Sequence, residues 1–272
     1  MRQSRKFLWS LLIFSTTLSM SLNANTNSMI PALIEQEVAY TANGDTMKGF
    51  VVYSPAFEGK RPAILVVPEW WGNNDYSRMR ARMLAQLGYI AMAVDMYGDG
   101  KIATTPQEAQ QLAGVLYKDP KLAKARIEAA VKKLLSYPEA DPTKLAAIGY
   151  CFGGSMVLNA AKEGMDFKGV VSFHGGLSGG VMAKKGAVKA KILVCHGGAD
   201  KFSTQADIDN FKKNLDEAGA TYIFKVYPGA THAFTNPAST EVGKKFNMPI
   251  EYNAEADAQS WQDMKDFFKT IF

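Results

Sequence analysis

Three side chains in this sequence have the types and the order that covalent hydrolysis requires. Cys151 stands in Gly149-Tyr-Cys-Phe-Gly153, with Gly154 next. The apolar run Leu145–Ile148 before it has the length and bounds of a buried strand, and a helix-like segment follows from Ser155. Strand, G-x-nucleophile-x-G turn and helix make a nucleophile elbow, here with cysteine at the position serine often holds. Glycines flank it because strand and helix must pass too closely for a Cβ. The turn sets the thiol at a helix N-terminus, where free amides and the helix dipole favour a thiolate and a developing oxyanion. Downstream, Asp200 closes His196-Gly-Gly-Ala-Asp200, and His232 lies in Pro228-Gly-Ala-Thr-His-Ala-Phe234. A cysteine hydrolase needs a nucleophile, a base that moves protons and a group that orients the base. Cys151, His232 and Asp200 fit those roles, in the chain order nucleophile, acid, histidine. The amides of Phe152 and Trp70 are the candidate oxyanion donors.

Each residue also has a plainer role open to it. Cys151 could be a buried thiol in a glycine-rich turn. His232 could be an ordinary loop histidine, and Asp200 could cap the helix after it. His174 and His196 end strands beside glycines and are read as bonding loop carbonyls. No pair of ligand-type residues has the short spacing of a zinc site, so neither a metal nor an organic cofactor is expected. Cys151 and Cys195 are the two cysteines. A disulfide between them is disfavoured, because the elbow accounts for Cys151 and Cys195 reads as the buried end of a strand.

The elements that must position these groups follow from periodicity. Residues 34–42 and 47–53 read as a hairpin across Asn43-Gly44-Asp45, at a sheet edge. Strands are expected at 63–67, 89–94, 145–148, 169–173, 191–195 and 221–227. Helices are expected at 74–87, 106–117, 121–135, from 155, at 206–218 and at 254–272, with 235–253 irregular. Strands alternating with helices predict an α/β chain with a mostly parallel central sheet and helices on both faces. Ligands of such sheets sit beyond the carboxyl ends of the strands. Glu69, Asp95, Cys151, His174, His196, Asp200 and His232 all fall at such ends.

The first residues have a different plan. Arg2, Arg5 and Lys6 precede a mostly apolar stretch from Phe7 to Leu18, and small polar residues follow to Thr26. This is the plan of a secretory signal peptide over residues 1–24, too short for a spanning helix of ~20 residues. An uncleaved N-terminal anchor is the alternative. The stretch holds three cations and no anion, so without it the formal net charge of +5 falls to +2. No basic cluster interleaved with aromatics remains, which argues against a nucleic-acid partner. The expectation is a periplasmic or secreted protein, off the membrane once cleaved, with residues 25–272 as one domain.

At these residues the sequence resembles the dienelactone hydrolase family. The likeness spans nearly all of the chain after residue 24. It is carried by Pro68-Glu-Trp-Trp-Gly72, Asp95-Met-Tyr-Gly98, Gly149-Tyr-Cys-Phe-Gly-Gly154, Gly197-Gly-Ala-Asp200 and Gly229-Ala-Thr-His-Ala-Phe234. The resemblance implies the α/β-hydrolase fold, a Cys151–His232–Asp200 triad, and a small-molecule ester or lactone substrate. It also implies that Glu69 contacts the resting thiol and helps generate the thiolate. Family members that cleave dienelactone hold its carboxylate with two arginines, where this chain has Asp99 and Asn236. An anionic substrate would lose bidentate partners there and meet the acid of Asp99. Trp71, Tyr97, Tyr150 and Phe234, with Trp70, suggest an aromatic-lined, apolar pocket. The reading is a carboxylic-ester or lactone hydrolase; thioesters and small amides are further substrates, and a binding protein on the same fold is the non-enzymatic alternative.

Overall fold

Side chains that alternate between two buried layers account for the sheet. In β3 (Arg61–Val67), Ala63, Leu65 and Val67 pack into one core cluster and Ile64 and Val66 into another. In β7 (Lys191–Gly197), Ile192 and Val194 likewise face away from Leu193 and Cys195. A strand apolar on both faces must be covered on both. The computed structural model describes residues 32–272, so the expected signal segment 1–24 lies outside the described residues.

The remaining strands are β1 (Ile34–Ala42), β2 (Asp45–Tyr53), β4 (Ile90–Ala93), β5 (Ala140–Tyr150), β6 (Gly169–Phe173) and β8 (Tyr222–Tyr227). They form one eight-stranded sheet in the order β1-β2-β4-β3-β5-β6-β7-β8. β3 to β8 run parallel, and β2 pairs antiparallel with β1 and β4, which puts the expected hairpin at the edge. Asn43 and Gly44 turn it with φ of 50° and 89°. This is the α/β-hydrolase fold.

Helices α1 (Asp75–Gln86) and α7 (Ala254–Phe268) cover one face through Tyr76, Leu84, Met264 and Phe267. Helices α2 (Pro106–Lys118), α3 (Pro120–Leu134), α4 (Phe152–Lys162) and α5 (Gln205–Ala218) cover the other, with Leu116, Ile127, Met156 and Phe211 among their contacts. Each fully buried aliphatic or phenyl side chain is worth about 1.5–3 kcal/mol, so these layers set the fold more than helix propensity does.

One stretch departs from expectation. Residues 235–253 contain α6 (Ser239–Phe246). Its apolar stripe is short, Val242 and Phe246 one turn apart, and its closest docking is through small residues. Ser239 and Gly243 are the buried ones, and a Cβ on Gly243 would lie 2.4 Å from the Ile250 carbonyl oxygen.

Candidate active site

The elbow forms where β5 hands over to α4. Cys151 sits between them at φ 51° and ψ −116°, a conformation that costs an ordinary residue about 1–3 kcal/mol. The backbone is held there from two sides. The Cys151 N–H donates to the Phe173 carbonyl at 3.0 Å and to His174 Nδ1 at 3.1 Å. The crowding expected of the glycines is present. A Cβ at Gly149 would lie 2.1 Å from the Gly153 carbonyl oxygen, and one at Gly153 would lie 2.2 Å from that of Val67. His174 (φ 42°) and Ala233 (φ 57°) are also left-handed, so strained backbone converges on the thiol from three strand ends.

Three chain segments meet over that thiol. His232 Nε2 is 3.0 Å from Cys151 Sγ, and His232 Nδ1 is 2.8 Å from Asp200 Oδ2. Asp200 Oδ1 accepts from the Phe202 amide at 2.8 Å. The cap of α5 is Thr204, in a capping box with Asp207, so Asp200 does not serve that helix. Burial acts to push His232 down. The charge at Cys151, the hydrogen bonds to Asp200 and Cys151 and the charge of Asp200 outweigh it and raise the imidazole to about 10. Burial acts to raise Asp200, but its bond to His232 and the imidazolium charge leave it below the usual carboxylate range.

His174 and His196 do not bond loop carbonyls as expected. His174 is fully buried; its Nδ1 accepts from the Cys151 amide, and its Nε2 is 2.7 Å from Thr235 Oγ1. Burial, with the charges of His232 and Arg80, keeps it well below the usual histidine range and therefore neutral. Thr235 Oγ1 lies 2.6 Å from the Tyr76 hydroxyl, and Arg80 bridges the Thr235 carbonyl and Asp257, each at 2.6 Å. A buried polar chain thus runs from the elbow amide to the loop that carries His232. His196 is buried against Phe224, and its Nδ1 has no partner among the described residues.

The profile of the Dienelactone hydrolase family matches residues 47–272. The chain belongs to the dienelactone hydrolase family. A "Putative carboxymethylenebutenolidase" of Methylorubrum extorquens is 32% identical over 225 residues, covering 79% of this chain and 74% of that protein. Among solved structures, m3DLH is 33% identical with a TM-score of 0.84, over 89% of this chain and 99% of its own. A dienelactone hydrolase-like promiscuous phosphotriesterase from metagenomic libraries is 31% identical with a TM-score of 0.83, at the same coverage. As a dienelactone hydrolase family member this protein is a hydrolase that acts on ester or lactone bonds of small molecules.

Within that family frame, Glu69 departs from the implied contact with the thiol. It is buried at the end of β3, and its Oε2 accepts from Asn236 Nδ2 at 2.6 Å, while the thiol's partner is His232. Burial raises Glu69 to about 7, against the opposing pull of the Asn236 bond and the charges of His232 and Arg80. Asn236, considered in the sequence only for an arginine it is not, is the residue that orients this carboxyl. Asp99 is exposed, with its amide bonded to the Thr46 carbonyl, and does not line the catalytic cavity. The expected repulsion from Asp99 therefore has no place in this site.

The cavity at Cys151 holds about 250 Å³ and is bounded by Glu69, Trp70, Trp71, Cys151 and His232 together with Tyr117, Phe202, Met248 and Ile250. Trp70 and Trp71 thus stand where the sequence put them, edge to face at 5.2 Å, with Phe246 of α6 stacked on Trp71 at 6.1 Å. Tyr97, Tyr150 and Phe234 do not line it. Tyr97 lies behind the wall, donating its hydroxyl to the Trp70 carbonyl at 2.8 Å and packing on Phe152. Tyr150 is core, stacked 4.7 Å from Phe173, because it shares the face of β5 that carries Ala146 and Ile148 into the core layer. Phe234 is core as well, packed on His174 and Tyr227. Of the residues missed, Phe202 had a signal, two positions past Asp200. Tyr117, Met248 and Ile250 come from segments without motifs. Among the described residues, neither the Phe152 amide nor the Trp70 amide has a protein acceptor.

Proposed function

We propose that this protein is an exported hydrolase of neutral, largely apolar carboxylic esters or lactones that works through a thioester on Cys151. The observation that carries this reading is the unbroken contact from Cys151 Sγ through His232 to Asp200, opening on an apolar cavity. An imidazolium beside the sulfur has the thiolate as its counter-charge. That sulfur attacks the carbonyl carbon, and the carbonyl oxygen takes the negative charge beside the Phe152 and Trp70 amides. His232 Nε2 gives its proton to the departing alkoxide, leaving a thioester. Neutral His232 then takes a proton from water as the water oxygen attacks the thioester, and the thiolate leaves. Asp200 keeps the Nδ1–H tautomer throughout.

Substrate neutrality rests on the walls. Among the described residues no lysine or arginine bounds the cavity, and Glu69 does, so a carboxylate on the substrate finds no cation there besides His232. Trp70, Trp71, Phe202 and Ile250 favour a hydrocarbon acyl or alcohol group. Export rests on residues 1–24 alone. Fractionation with N-terminal sequencing tests it: a chain shortened near residue 24 outside the cytoplasm is expected, and protein confined to the cytoplasm and still beginning at Met1 overturns it.

The chemistry is tested with a panel of short-chain p-nitrophenyl esters, thioesters and anilides and reduced protein. Cys151→Ala and His232→Ala are each expected to lower kcat by about 10³-fold or more. Turnover unchanged in both variants overturns the proposed roles. Absence of turnover across the panel, with Cys151 no more reactive to iodoacetamide than a free thiol, places the chain with the binding proteins of this fold.

A further inference from the structure

A second cavity, of about 360 Å³, lies between α4, α5 and the segment 177–182. It shares no lining residue with the catalytic cavity. Lys162, the last residue of α4, forms part of its wall and is 6% exposed. Its ammonium lies 4.8 Å from the centre of the Phe211 ring and has no hydrogen-bond or carboxylate partner among the described residues. Burial pushes this lysine down to about 8.

The other charges around the cavity are already committed. Asp207 accepts from the amide and hydroxyl of Thr204, and Lys213 faces Glu217 at 3.8 Å. Among the described residues Lys162 is therefore the one cation on this wall without an anion, and removing water from an unpaired ammonium is costly. An anion placed against Nζ would remove that cost. One ammonium matches one negative charge, and the nearby carboxylates of Asp207 and Glu217 disfavour a dianion. Leu177 and Phe211 supply apolar wall for a hydrocarbon body. The volume lies in the range of small-ligand pockets.

We propose that this cavity binds a small monocarboxylate, with its carboxylate on Lys162 Nζ and a short apolar body along Leu177 and Phe211. The ligand is of the class that ester hydrolysis releases. Consecutive residues of one segment bound the two cavities, Gly176 the catalytic one and Leu177 the second.

Calorimetric titration with butyrate, hexanoate and inorganic phosphate tests the site, using protein whose Cys151 has been alkylated to block the catalytic cavity. Saturable binding of hexanoate is expected, tighter than that of butyrate. Lys162→Met and Lys162→Gln are expected to weaken it at least about tenfold, the loss of one charge-assisted contact. Should both variants misfold, Met182→Trp closes the mouth from an exposed position, leaves Lys162 intact and is expected to abolish the same binding. The proposal is overturned if hexanoate gives no saturable heat, if folded Lys162 variants or Met182→Trp bind as the parent does, or if phosphate binds as tightly as hexanoate.

Discussion

His174 shows how a residue outside the sulfur–imidazole–carboxylate contact governs it. Its ring accepts the amide of the nucleophile on one side and meets Thr235 on the other, so it ties the elbow to the loop of His232. The Cys151 N–H keeps the Phe173 carbonyl when the ring is removed, so the loss is the tie to Thr235 and one arm of a shared hydrogen bond, about 0.5–1.5 kcal/mol. His174→Phe is expected to lower kcat about tenfold to a hundredfold with KM little changed, and to slow alkylation of Cys151 in parallel. His174→Gln, which keeps an acceptor oxygen, is expected to recover part of both. A His174→Phe protein that loses stability while keeping parental kcat and alkylation rate would make the residue structural only.

At the scale of elements, the decisive contact is the closeness of β3, β5 and α4. A methyl at Gly153 meets the backbone oxygens of Val67 and Pro68 at 2.2 and 2.5 Å, and backbone does not yield as a side chain does. Gly153→Ala is expected to cost about 1–3 kcal/mol in denaturant unfolding and to abolish ester turnover, because α4 must shift from the Trp70 loop. Gly114, inside α2, meets nothing within 4 Å. Gly114→Ala is expected to stabilise by about 0.5–1 kcal/mol with activity unchanged. Opposite signs for the two substitutions would separate a packing glycine from an incidental one; equal effects would refute the close approach. α6 acts at this scale too, since Phe246 backs Trp71 and the chain returning from it brings Met248 and Ile250 to the cavity.

For the whole molecule, the buried carboxyl of Glu69 couples the site to stability. Its folded value of about 7 lies above the ordinary 4.5 because burial disfavours the charge. The folded state therefore holds the extra proton between those values, and stability falls as pH rises from 4.5 to 7, then stays at the lower level. Glu69→Gln keeps an acceptor for Asn236 and carries no charge. It is expected to match the parent near pH 4.5 and to exceed it by up to about 3 kcal/mol at pH 8, read from urea unfolding at both pH values. Asp200 works in the opposite sense. Held below its ordinary range, it contributes stability above that range and loses it as the solution is acidified through its folded value. A pH-independent difference between Glu69→Gln and parent would show that Glu69 ionises in the fold at its ordinary value.

The order and type of the elements outside 235–253, the elbow turn and the candidates Cys151, Asp200 and His232, which the fold brings into contact, were legible in the sequence itself. Periodicity reports which faces are buried, and a strained turn admits few residues, so both leave marks that a single chain carries locally. Tertiary structure alone decided which aromatics reach the cavity. Tyr97, Tyr150 and Phe234 stand beside the motifs yet pack behind or beneath the pocket, while Tyr117, Met248 and Ile250 arrive from distant segments. It also assigned His174 to the nucleophile's amide and Asn236 to Glu69, and it made a helix of 239–246, too short for its Val242 and Phe246 to show as a periodic pattern. Those outcomes depend on where one segment's surface meets another's, and adjacency in sequence carries no record of that.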